Sequence, residues 1–101
     1  MLFRSALVCL GYPFHPPGRP DALRTEHLAG IATPTLILQG TRDPFGTPEE
    51  VAGYTLSDAV RVRWLEDGDH SLRPRKQSGH TAHAHLAAAA EEISGFLAQL
   101  D

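Results

Sequence analysis

Asp43 and His70 are the residues whose types and settings suit proton-transfer chemistry. Asp43 closes the segment Gly40-Thr41-Arg42-Asp43, directly after the apolar run Thr35-Leu36-Ile37-Leu38-Gln39. His70 closes Asp67-Gly68-Asp69-His70, directly after Val60-Arg61-Val62-Arg63-Trp64-Leu65. An imidazole exchanges a proton near neutral pH, and a carboxylate beside it fixes the tautomer and stabilises the imidazolium. Acid first and histidine second, each after a strand, is the order that completes a nucleophile–acid–histidine triad in one kind of parallel sheet. Taken singly, Asp43 reads as an Asx-turn or helix-entry residue, and His70 as an exposed loop histidine. Their shared placement favours the pair. Asp67 and Asp69 lie on the same short turn as His70 and read as turn residues. No G-x-S-x-G segment occurs in the sequence, and Ser5 lacks flanking glycines. The nucleophile is therefore missing, and the domain is expected to be incomplete.

Other groups carry weaker signals. Tyr12, Phe14 and His15 follow the first apolar run. They either line a pocket for an acyl or alcohol group or pack beneath the loop, and the sequence favours neither. His80, His83 and His85 have a spacing in which the third residue does not share a helical face with the first two, and no Cys or carboxylate pattern accompanies them. No metal or other cofactor is expected. Arg73, Arg75 and Lys76 read as a solvated loop in preference to an anion site. Cys9 lies in an apolar run, which suits a buried small hydrophobe.

These residues need elements to position them. Ala6 to Leu10 is continuously apolar, as is Thr35 to Gln39, so both read as strands covered on two faces. Val60, Val62 and Trp64 alternate with Arg61 and Arg63, which predicts a strand with one wet face at or near a sheet edge. Prolines 13, 16, 17 and 20 exclude regular structure after the first strand. Asp21 to Ile31 is a weak helix candidate, with Asp21 as cap and Leu23, Leu28 and Ile31 inward. Thr47-Pro48-Glu49-Glu50 has the chemistry of a helix start, predicting a helix to about Leu56. Leu86, Ala89/Ala90, Ile93, Phe96/Leu97 and Leu100 recur at helical steps. Strands alternating with helices give a parallel sheet. The loops 11–18, 40–47 and 67–72 then leave one edge, where such sheets bind ligands.

The chain has 101 residues, which suits one domain, and 42% hydrophobic residues, which allows a packed core. With a net charge of −3 and both signs dispersed, nothing suggests a nucleic-acid surface, and no nucleic-acid partner is expected. No apolar run approaches a membrane span. The stretch after Arg4 is short for a secretory leader and leads into Gly-Tyr-Pro, so a cytoplasmic protein is expected.

The segments LGYPFHPPGRPDALRTEHL, PTLILQGTRDPFGTPEE and LEDGDHSLRPRKQSG resemble the C-terminal part of the α/β-hydrolase superfamily. The resemblance is greatest to the dienelactone-hydrolase-like branch that includes testis-expressed and histone-acetyltransferase-complex hydrolase-like domains. It covers nearly the whole chain and implies strands six to eight of a mostly parallel, three-layer αβα sheet. Asp43 matches the family's acid and His70 its histidine, which implies a serine hydrolase acting on a small-molecule acyl substrate. The serine elbow, the oxyanion loop and the first five strands have no counterpart here, so the chain alone is expected to be inactive. The first strand would then present a bare apolar edge, open to self-association or to a partner chain. A non-catalytic interaction module on the same fold is the alternative reading.

Overall fold

The computed structural model describes residues 5–100. Their order is β1 (Leu7–Leu10), α1 (Glu26–Gly30), β2 (Thr35–Gly40), α2 (Pro48–Val51), β3 (Val60–Leu65), a 3₁₀ turn (Lys76–Ser78) and α3 (Ala82–Ala98). Residues 1–4, part of the stretch that is short for a secretory leader, lie outside the described residues. The strands form a parallel sheet in the order β1-β2-β3. Leu10 pairs with Leu38 and Leu38 with Arg63, so all strands end at one rim.

β2 lies in the centre and is buried along its whole length. Its alternate side chains feed two cores. Leu36 and Leu38 join Leu65, Leu72, Ala89 and Phe96 beneath α3. Ile37 joins Phe14, Leu28 and Val51 on the other face, beneath α1 and α2. The result is a three-layer αβα arrangement of the kind that the alternating elements predict.

Four local expectations need correction. β1 is not covered on both faces. Among the described residues it is an edge strand paired only with β2, and Leu7, Val8 and Leu10 are 46%, 37% and 59% exposed. α1 starts after Thr25 and not at Asp21, because the Arg24 N–H is drawn away to the Phe14 carbonyl (2.8 Å). Leu23 is consequently exposed. α2 has the expected start, with a complete Thr47–Glu50 capping box, but ends at Val51, where the Gly53 and Tyr54 N–H groups turn back to Glu50 and Val51. In α3 the inward stripe is His85, Ala89, Ile93 and Phe96, while Leu86 and Leu97 are exposed. β3 is an edge strand, as its alternation requires. Its arginine face looks toward α3, where Arg63 pairs with Glu92 (3.4 Å) and Arg61 donates to the Gln99 side chain.

Candidate active site

The loop after β2 is a compact turn. Thr41 N–H donates to the Leu65 carbonyl and Arg42 N–H to that of Gly68, while Asp43 N–H closes on Gly40. Gly40 is needed here. A Cβ at this position would lie 2.1 Å from the Gly68 carbonyl oxygen, so only glycine lets the two loops lie back to back. Asp43 is 0% exposed. Its Oδ1 accepts from Phe45 N–H (2.8 Å), an Asx-turn, and its Oδ2 faces His70 Nδ1 (2.8 Å). The turn reading and the partner reading of Asp43 are therefore compatible, one oxygen for each.

His70 sits on the loop after β3 with its side chain 38% exposed. The carboxylate opposite Nδ1 can only accept, so the proton belongs on Nδ1. Nε2 has no hydrogen-bond partner among the described residues and is the atom left for chemistry. The Phe45 ring stacks on the imidazole, with centroids 4.1 Å apart. Asp69 Oδ1 accepts from Ser71 N–H (2.8 Å) and Arg73 N–H (3.0 Å), which curls the chain around His70. Leu72, buried and at φ 66°, anchors the far side of the curl beneath α3.

The third rim loop, residues 11–25, supports the acid loop from below. Gln39 binds Tyr12 N–H through Oε1 (2.7 Å) and donates to the Tyr12 and Gly46 carbonyls. Phe14 is fully buried against Gly46, where a Cβ would lie 2.5 Å from its ring. His15 is 3% exposed, with Nδ1 on the Pro16 carbonyl (2.8 Å) and Nε2 on Glu50 Oε1 (3.0 Å). Both ring nitrogens face acceptors, which favours the doubly protonated ring. The Pro16 carbonyl and the Glu50 carboxylate raise the His15 pKa above its usual value, and His15 with Thr47 lowers that of Glu50. Of the two readings left open for these residues, packing beneath the loop describes Phe14 and His15. Tyr12 is half-buried, with its hydroxyl donating to the Arg24 carbonyl (2.7 Å).

Of the remaining candidates, His85 and Arg75 have structural employment. His85 is buried and donates from Nε2 to the Glu66 carbonyl (2.8 Å), and its ring lies 5.3 Å from that of His80. Among the described residues no cluster of His, Cys, Asp and Glu is arranged to hold a metal. Arg75, read as a solvated loop residue, binds the Asp67 carboxylate (2.6 Å). Burial raises the Cys9 thiol pKa. A hollow of about 280 Å³ opens between β3 and α3 beside Arg61, Arg63 and Phe96, and neither Asp43 nor His70 lines it. The sequence reading missed Gly11 (φ 81°), Gln39 and Phe45 as parts of the site. A glycine at the end of a strand was the available signal for the first. The other two carry none in their residue types.

A parallel sheet flanked by helices makes this an α/β unit, and the Asp43–His70 pair stands above its carboxyl rim. The chain belongs to the alpha/beta hydrolase domain family, whose model matches residues 3–98. No curated protein and no solved structure matches the chain. No helix among the described residues is long and apolar enough to cross a membrane.

Proposed function

We propose that this chain supplies the acid and the histidine of a serine hydrolase acting on an ester or related acyl bond. The carrying observation is the 2.8 Å contact between His70 Nδ1 and Oδ2 of the wholly buried Asp43, with Nε2 left unpartnered. In this reading His70 Nε2 accepts the proton of an attacking hydroxyl and returns it to the leaving group. Asp43 holds the ring on the tautomer that leaves Nε2 free, and stabilises the imidazolium as it forms. Phe45 shields one face of the ring from water.

The nucleophile comes from outside the described residues, since no hydroxyl or thiol among them hydrogen-bonds Nε2. The chain then corresponds to strands six to eight of the complete sheet, in the dienelactone-hydrolase-like branch that GTRDPFG and GDHSL suggest. A strand added along β1 would end at the same rim as His70, because Gly11, which follows β1, already touches that loop. By itself the chain has little acyl-transfer activity. A cytoplasmic setting fits the single free cysteine.

The test extends the reading frame upstream to its serine elbow and labels the longer protein with a fluorophosphonate. Labelling is expected, with a loss of roughly 10⁴-fold in rate in Asp43→Asn, the scale seen when the acid of such a triad is neutralised. His70→Ala should lose at least as much. Undiminished labelling in both variants overturns the assignment.

The exposed Leu7, Val8 and Leu10 favour a second reading, a non-catalytic module that binds a polypeptide along β1. A defined complex from a longer protein that lacks any serine elbow would support it.

A further inference from the structure

We propose that Asp67 is a positioning residue for the Asp43–His70 pair, tying the loop that carries the acid to the loop that carries the base. The inference rests on the acid–base reading above and deepens it. Asp67 follows β3 by two residues and precedes His70 by three, at φ 63°. Its backbone N–H donates to Thr41 Oγ1 (2.7 Å), and its carbonyl accepts from Arg42 Nε (3.0 Å). Thr41 and Arg42 immediately precede Asp43, so these bonds fix the acid loop against the end of β3.

The Asp67 carboxylate acts on the other side. It accepts from the Arg75 backbone N–H (2.7 Å) and from the Arg75 guanidinium (2.6 Å from one terminal nitrogen). Arg75 lies five residues beyond His70, so this contact closes the His70 loop into a ring of nine residues, 67–75. Arg42 Nε also lies 3.3 Å from Asp67 Oδ1. One side chain therefore meets both loops. The two arginines hold its carboxyl well below the usual carboxylate range.

A free His70 loop has many ways to miss a 2.8 Å contact. Closing it at Asp67–Arg75 removes most of that freedom before the imidazole is placed. The carboxylate is thus a fixed strut. It hydrogen-bonds neither the imidazole nor the Asp43 carboxylate, so its effect runs through the placement of those two groups.

The readout is the low-field proton resonance of His70 Nδ1–H in the isotope-labelled 101-residue chain. Asp67→Asn and Asp67→Gly both tolerate a left-handed backbone, so they test the carboxylate without adding strain. Each is expected to erase the resonance or speed its solvent exchange about tenfold, because local opening governs such exchange. The amide signals of β2 should stay dispersed. Arg75→Gln should move it in the same direction. Phe96→Leu, a core change beside Pro34 and Ala59 at the opposite end of the strands, should lower the melting temperature and leave the resonance in place.

An unchanged resonance in Asp67→Asn and Arg75→Gln overturns the proposal, whether or not Asp67→Gly folds. Equal loss in Phe96→Leu also overturns it, since the effect would then be global. Survival of the resonance in Asp43→Asn is a different failure: it would remove the acid–base reading itself.

Discussion

Gly11 and His70 touch across the rim of the sheet. A Cβ on Gly11 would lie 2.4 Å from the His70 carbonyl oxygen and 3.1 Å from its Nδ1. The φ of 81° at Gly11 adds a second demand that only glycine meets without strain. The end of β1 is therefore moulded to the histidine loop, although the two lie 59 residues apart in sequence.

Gly11→Ala should fail on both counts. The backbone strain alone costs about 1–3 kcal/mol, and the clash is with a carbonyl that cannot swing aside as a side chain would. The expected result is a lower urea midpoint, together with a displaced His70 Nδ1–H resonance. Wild-type values for both would mean that the loop contact is loose in solution.

Phe45 reaches the pair twice, by its N–H on Asp43 Oδ1 and by its ring over the imidazole. Phe45→Ala keeps the first contact and deletes the second. The stacked pair contributes about 0.5–1.5 kcal/mol beyond its buried area. Its loss should leave the fold intact and move the His70 ring-proton signals downfield, as the shielding aromatic face is removed. Unmoved signals would show that the two rings do not stack in solution.

Much of this site was legible in the sequence because it is built from local rules. Val60–Leu65 announces itself by alternation, and Thr47-Pro48-Glu49-Glu50 by its capping chemistry. Asp43 and His70 stand out because each follows a strand. What escaped depends on contacts between distant segments. His85 faces inward, where its Nε2 meets the Glu66 carbonyl, while the apolar Leu86 beside it is left outside. Periodicity ranks residues by hydrophobicity and so chose the wrong neighbour. Asp67 and Arg75 looked like a turn acid and a solvated base. Only the folded loop brings them to 2.6 Å. The apolar run of β1 reads as burial on both faces, yet the described residues provide no neighbour on its outer side.

The His15–Glu50 pair makes stability depend on pH in a determinate direction. His15 has a raised pKa in the fold, so its contribution is complete below the unfolded value of about 6.5 and fades as pH rises through the folded value. Glu50 has a lowered pKa, so its contribution is complete above the unfolded value of about 4.3 and fades as pH falls through the folded value. The pair should therefore contribute most between about pH 4.3 and 6.5. Urea unfolding of the wild type and of Glu50→Gln should differ most in that window, and the difference should shrink toward pH 9 to what the Thr47 capping contact contributes. A constant difference across the range would contradict the titration of His15. His15→Leu deletes the contact to Glu50 and one of the two bonds to the Pro16 carbonyl, which keeps the Arg19 N–H (3.0 Å), a loss of about 0.5–1.5 kcal/mol per hydrogen bond.

The edge at β1 yields the last expectation. Leu7, Val8 and Leu10 are exposed on a strand whose outer backbone groups have no partner among the described residues. Such a strand pairs readily with another chain, and charge on it opposes pairing. The 101-residue chain alone should associate as its concentration rises, as followed by sedimentation velocity. Burying one leucine on association is worth about 1.5–3 kcal/mol, so Leu10→Lys should weaken association by about tenfold or more, the factor that 1.4 kcal/mol represents. Leu86→Lys, equally apolar and exposed but on α3, should leave it unchanged. Equal effects from both substitutions would point to general hydrophobic aggregation and away from pairing along β1. A concentration-independent monomer would show that the apolar edge is not sticky under those conditions, and would take with it the main support for a polypeptide partner there.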